Sequence, residues 1–240
     1  MSRILPIRAD GLWRSIRREL AYLAPEKIPE ALVNLYDDYA REAFDKYYLA
    51  VAREIVCFCP KGRILDIGCG PGYLAIQVAR LSENTFIEGV DLSPEMVRLA
   101  ENNATKYGIE KRVKFRVGNA NELDCRDADY DMVVSTGVLH SLRDPVQFLN
   151  ECFRVLKPGR QAWIYDPAKI TSGPPSLSKA GDWAKVVVYL GVMLFAKVFQ
   201  KGNLSEKDLL DIINKSRFSE CSISVHGDIR LKLRKKETEV

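Results

Sequence analysis

The sequence contains no CxxC pair, and its two histidines, His140 and His226, stand far apart. A zinc site built from cysteine and histidine therefore has poor raw material, and no metal is expected. Its six cysteines are scattered, as expected for free thiols in a reducing cytoplasm. The first 25 residues lack a continuous apolar core, so no signal peptide is expected. The longest apolar run, residues 186–196 (VVVYLGVMLFA), falls well short of the roughly 20 residues that span a bilayer. Internal repeats and low-complexity tracts are also missing, which excludes solenoids and fibrous architectures.

What is present suits a folded domain with a full core. Of 240 residues, 47% are hydrophobic and 28% charged, so no staples are needed. The net charge of +4 comes largely from the two ends, including Arg14, Arg17, Arg18, Arg234 and Lys235. A nucleic-acid binder usually carries a denser basic stripe. Solvated, slightly basic termini are the simpler account.

The pattern predicts helices over 10–24 and 30–58, separated by Pro25 and Pro29. From Lys61 onward strands and helices alternate. Strands are expected at 63–67, 85–90, 113–117, 130–134 and 161–165, with helices at 73–81, 94–107 and 145–156 between them. Ser93 and Pro94 form a helix start, and Gly108 a helix stop. Pro158 and Gly159 are expected to close the third of these helices. Such alternation indicates a doubly wound, mostly parallel sheet with right-handed crossovers. Residues 167–203 interrupt it with a Gly/Pro/Ser stretch followed by the apolar run. A helix capped at Ser205 and strands at 222–225 and 229–233 follow, joined by a short turn at His226, Gly227 and Asp228. The sheet should thus end in an antiparallel pair.

The segment Ile64-Leu65-Asp66-Ile67-Gly68-Cys69-Gly70-Pro71-Gly72 carries the chemistry. A strand delivers the chain to a turn in which Gly68 and Gly70 lack the Cβ atoms that would hold a ligand away. In open α/β sheets ligands bind at this carboxyl edge. Asp91 ends the next strand, where a carboxylate can accept both hydroxyls of a ribose. Gly118-Asn119-Ala120 ends the third, where an amide can read an adenine edge. In a 3-2-1 sheet these strand ends lie side by side, within reach of one nucleoside.

Taken in order, ILDIGCGPG, VDLSPEMV, VGNA, YDMVVSTGVLH and RVLKPG resemble the successive motifs of class I methyltransferases that use S-adenosylmethionine (SAM), in their small-molecule (type 11/25-like) branch. The resemblance covers roughly residues 60–166 and extends to the terminal helix and strand pair. It implies a seven-stranded Rossmann-like sheet with SAM over its carboxyl edge. Carried over by position, Asp66, Gly68, Cys69 and Gly70 would hold the methionine moiety and Asp91 the ribose. Leu92 and Met96 would pack on the adenine, with Asn119 and Ala120 at its edge. Ser135 and Thr136 would lie beside the sulfonium. Position 119 is more often Asp in that family; an Asn oxygen can still accept from the adenine amino group.

Other readings of these features fit less well. The spacing Gly68-x-Gly70-x-Gly72, with Pro71 inside, departs from the GxGxxG of nicotinamide enzymes. Enzymes that methylate base amino groups resemble one another in an Asn/Asp-Pro-Pro-aromatic motif after the fourth strand; this chain reads Ser135-Thr136-Gly137-Val138. No Pro-Cys dipeptide is present, which disfavours cytosine C5 chemistry. His140, the single histidine near the expected site, is a candidate general base, with packing beside the following helix as the alternative. Tyr36 and Tyr39 are substrate-side candidates on the helix preceding the core, and amphipathic packing explains them equally well. Cys57 and Cys59 are read as structural.

The expectation is therefore SAM-dependent methyl transfer to a small-molecule acceptor in the cytoplasm. Alternatives are a SAM-binding regulator without turnover, or a methyltransferase acting on RNA or protein. Residues 1–58 are expected to form a helical cap and residues 59–240 the core, with a helical insertion at about 167–203. The apolar run in that insertion leaves core burial, an acceptor wall, peripheral membrane contact and a homodimer contact open, and the chain is expected to be a monomer or a homodimer.

Overall fold

A computed structural model describes residues 33–42, 44–167, 204–225 and 228–237. The expected helix at 10–24, the insertion at 168–203 and the turn at His226 and Gly227 lie outside the described residues. Seven strands form one sheet: β1 (Gly62–Ile67), β2 (Thr85–Asp91), β3 (Val113–Val117), β4 (Tyr130–Thr136), β5 (Leu156–Pro167), β6 (Glu220–Val225) and β7 (Asp228–Arg234). The strand order is β3-β2-β1-β4-β5-β7-β6. β7 runs antiparallel to both of its neighbours, and the first five strands are mutually parallel. The expected doubly wound sheet with a terminal antiparallel pair is the observed architecture.

Central strands in such sheets are covered on both faces and read as continuous apolar runs. Ile64, Leu65 and Ile67 of β1 and Met132, Val133 and Val134 of β4 are accordingly fully buried. One face, through Ile64, Ile87, Met132 and Trp163, packs on helices α2 (Leu49–Phe58) and α3 (Tyr73–Leu81). Ala104 of α4 (Pro94–Lys106) extends that layer. The other face, through Leu65, Val133 and Ile164, meets Phe148 and Leu149 of α5 (Pro145–Val155) and Leu209 and Ile213 of α6 (Glu206–Lys215).

Helix starts follow their local chemistry. The Ser93 hydroxyl accepts the Met96 N–H at 3.4 Å with Pro94 in the first turn, and Asp144 accepts the Gln147 N–H at 2.9 Å ahead of Pro145. Ser205 and Asp208 form a reciprocal capping box.

Two expectations need correction. The described residues of 30–58 are helical, as expected, but not α-helical throughout. In the described part, α1 (Val33–Glu42) is followed by a π turn at Phe44–Tyr48 and then by α2. A π turn widens the backbone, and Gln77 of α3 donates to the Phe44 carbonyl at 3.1 Å. The third helix ends at Val155, one residue before the expected Leu156, and Pro158 and Gly159 lie within β5 rather than closing it. Leu156 already has extended geometry and pairs with Tyr130, and Gly159 donates to the Lys235 carbonyl at 2.9 Å. Strand pairing claims the residues expected to close the helix.

Candidate active site

The turn after β1 lies at the carboxyl edge of the sheet, beside the ends of β2 and β4. Gly68 and Gly70 both have positive φ (72° and 51°), which only glycine adopts at little cost. The N–H groups of Gly68 and Cys69 both donate to the Val90 carbonyl, at 2.7 and 3.1 Å. Asn103 of α4 donates to the Pro71 carbonyl at 3.0 Å. A Cβ at Gly68 would lie 2.1 Å from a methyl of Val138, whereas at Gly70 it would meet only the Tyr36 ring, at 3.6 Å. The turn is thus fixed from β2 and α4 and overlaid by side chains from the loop after β4 and from α1.

Beside it, Asp66 is fully buried, and neither carboxylate oxygen has a hydrogen-bond partner among the described residues. Burial first, and then the negative charge of Asp91, push its pKa up to about 7. Asp91 differs in its surroundings. One of its oxygens accepts the Gly70 N–H at 2.9 Å and the other the Ser93 N–H at 2.9 Å. Burial raises its pKa while these backbone bonds oppose the shift. Two acids therefore share the turn, one anchored by backbone amides and one without a donor among the described residues.

The remaining adenosine-side candidates collect along the same edge. Leu92 is exposed and Met96 is buried. Asn119 is exposed, and its side-chain oxygen accepts the Asn121 N–H at 2.9 Å, which orients the amide. Ala120 is half-buried and packs towards the α5 face. The Gly118 N–H donates to the Asp91 carbonyl at 2.9 Å, tying the end of β3 to the end of β2. At the end of β4, the Ser135 hydroxyl is buried and donates to the Ile67 carbonyl at 2.7 Å, while Thr136 is half-buried. Cys69 is buried among the two acids, and burial pushes its thiol well above the usual range, so it stays protonated.

His140 sits in a 3₁₀ turn (Leu139–Ser141) after β4. Its backbone N–H donates to Asp166 at 3.0 Å, and its Nδ1 lies 2.8 Å from the other oxygen of the same carboxylate. Asp166 is buried near the end of β5. An Nδ1–H facing a carboxylate leaves Nε2 as the basic nitrogen of the ring. Asp166 is not among the residues expected from the sequence; its one signal there is an acid near the end of the strand that follows the His140 turn.

Tyr36 lies over Gly70, while Tyr39 is on α1 and its side chain lies outside what is described. Tyr48 packs on Tyr47 and Tyr73, with ring centroids at 5.4 and 6.2 Å. Cys57 is exposed, and the buried Cys59 thiol donates to the Lys61 carbonyl at 3.4 Å. No helix among the described residues is long and apolar enough to cross a membrane.

This strand order, with a glycine turn after β1 and an acid closing β2, is the architecture of class I SAM-dependent methyltransferases. Residues 60–212 match the family described as a methyltransferase domain, and the chain belongs to that family. Norajmaline N-methyltransferase of Rauvolfia serpentina is 32% identical over 166 residues, covering 68% of this chain and 50% of that protein. Demethylmenaquinone methyltransferase of Lactiplantibacillus plantarum is 35% identical over 143 residues, 58% of each chain. The chain spans about half the length of the curated relatives it matches. Among solved structures, an S-adenosyl-L-methionine-dependent methyltransferase from Methanococcus maripaludis superposes with a TM-score of 0.72 at 22% identity, over 90% of this chain and 98% of that one, a likeness of fold.

Proposed function

We propose that this protein binds SAM at the carboxyl edge of β1, β2 and β3 and transfers its methyl group to a small-molecule acceptor. The observation that carries this reading is Asp66, a fully buried carboxylate without a hydrogen-bond donor, set under a turn stripped of Cβ atoms. Burying such a group is costly unless a ligand supplies the missing positive charge and donors. The ammonium of a methionyl ligand has that chemistry. Asp66, Gly68, Cys69 and Gly70 would hold this moiety, and Asp91, already oriented by two backbone N–H groups, the ribose. Leu92, Met96, Asn119 and Ala120 would line the adenine, with Ser135 and Thr136 beside the sulfonium. The relatives named above are methyltransferases of norajmaline and of demethylmenaquinone, both small molecules, which supports a small-molecule acceptor and disfavours nucleic acid.

Bound SAM supplies an electrophilic methyl on a sulfonium. The chain's own contribution is alignment and exclusion of water, with Tyr36 covering the turn. Asp166 holds His140 by two contacts, so that Nε2 is the proton acceptor when an acceptor atom must be deprotonated. Residues 1–58 form the cap and 59–240 the core with its insertion in this reading. Free thiols at all six cysteines support a cytoplasmic setting, as monomer or homodimer.

The test is incubation of purified protein with methyl-labelled SAM and fractionated small metabolites. Label should pass to a metabolite fraction, and His140→Ala should reduce that transfer by about 10²-fold for an acceptor that must lose a proton. SAM binding without transfer to any fraction would favour a non-catalytic regulator; label on RNA or protein would move the acceptor class.

A further inference from the structure

The described part of the cap is held to the glycine turn by a cluster that the methyl-transfer reading does not use. Asp37, on α1, is almost completely buried. The Tyr73 hydroxyl donates to one of its oxygens at 2.7 Å, and Arg41 pairs with the other. Arg41 also donates from Nε to the Tyr73 hydroxyl at 3.3 Å, so the three groups close a ring of hydrogen bonds. Tyr73 is the first residue of α3, directly after Gly72. Asp37 directly follows Tyr36, whose ring lies over Gly70.

We propose that Tyr73, Asp37 and Arg41 are positioning residues, a clasp that seats Tyr36 on the glycine turn and so sets how long the turn keeps its ligand. This rests on the reading of the turn as the SAM site. A buried carboxylate is strongly unfavourable without partners, so Asp37 docks only where Tyr73 and Arg41 meet it. Gln77, one turn further along α3, grips the π turn through the Phe44 carbonyl, and the Phe44 ring meets Tyr73 edge-on at 5.2 Å. The same helix thus holds the cap at two points, Asp37 and Phe44, on either side of the junction between α1 and the π turn. π turns recur at functional sites, and here the irregular segment, Phe44–Tyr48, begins at the second of the two holding points. A ligand on the glycine turn lies beneath Tyr36, and its release requires the clasp to open.

The probe is S-adenosylhomocysteine (SAH), with its dissociation rate followed by stopped flow on the full chain. Tyr73→Phe removes one hydroxyl from a buried contact and should speed release roughly tenfold, the effect of one hydrogen bond to a charged group. Arg41→Gln alters a half-exposed side chain without touching the core and should speed release severalfold. The double variant should be no faster than the faster single one, because the residues act as a unit. Trypsin cleavage after Arg41 or Lys46 supplies a readout that a merely structural role would not move. SAH should slow it in the unaltered protein and lose that effect in Tyr73→Phe, with melting temperatures recorded without ligand for each. Release from both single variants within twofold of the unaltered rate, with SAH protection retained, overturns the clasp alone. No SAH binding by the unaltered protein overturns the clasp and the SAM reading together.

Discussion

Asp66 and Glu88 stand on the neighbouring strands β1 and β2, one residue apart in register, and their surroundings are opposite. Glu88 accepts from Arg116 at 2.7 Å, from the Tyr130 hydroxyl at 2.8 Å and from Arg63 at 3.4 Å. Burial alone would raise its pKa, but the bonds from Arg116 and Tyr130 outweigh it and hold the carboxyl below its usual range. Asp66 has no donor, and burial pushes it up to about 7. Among the described residues Glu88 belongs to a completed network, whereas Asp66 has no donor, which is the ground on which it is proposed to meet a ligand. That difference, more than burial, sets the proposed ligand-binding acid apart from the structural one, since both are largely withdrawn from water.

The comparison can be broken at its ligand side first. Asp91→Ala removes the acid that closes β2 and should weaken SAH binding by about 10²-fold or more, the loss of two hydroxyl contacts to a charged group. Titration calorimetry on the unaltered and altered proteins reads this directly, and an unchanged affinity would remove the ribose assignment. Glu88→Ala should do the reverse. It leaves Arg116 and Tyr130 without their acceptor and should cost about 2 kcal/mol in chemical denaturation, less than a fully buried pair because the site is partly wet. SAH affinity should stay within twofold. A large affinity loss there would show that the two acids are not independent.

Much of this was legible in the sequence because the signals are local. The glycine turn, the acid ending β2 and the Ser93-Pro94 and Ser205 helix starts are each written within a few consecutive residues, and each stands in the structure where its chemistry requires. What was not legible depends on partners far along the chain. The π turn leaves the spacing of Tyr36, Tyr47 and Val51 near a helical period, and its support comes from Gln77, 33 positions away. Asp166 acquires its meaning only when β5 pairs with β4 and brings it to His140 across 26 positions. The place of Pro158 and Gly159 in β5 is hidden for the same reason, since they look like helix punctuation until Leu156 is claimed by Tyr130. The link between Asp37 and Tyr73 likewise spans 36 positions, and nothing near either residue announces it.

The smallest expected effect is also the most specific to Asp66, because it depends on pH in a direction that Glu88 opposes. The Asp66 pKa is about 7 in the folded protein against 3.8 for an ordinary aspartate. Between these values the folded chain binds a proton that the unfolded chain has released, so stability falls as pH rises through this window and levels off above about 7. From pH 6 to pH 8 the ligand-free protein should lose about 1 kcal/mol from this group. Glu88, whose pKa is lowered, contributes stability that is lost only on acidification, well below that range. A ligand ammonium demands the ionised carboxylate, so SAH binding should move the other way and tighten about tenfold over the same two pH units. Asp66→Asn should flatten both profiles together. Calorimetric binding curves and denaturant titrations at pH 6, 7 and 8 measure the two trends on one sample. If the stability slope disappears in Asp66→Asn while the binding slope persists, the carboxylate is a buried acid that some group other than the ligand must satisfy.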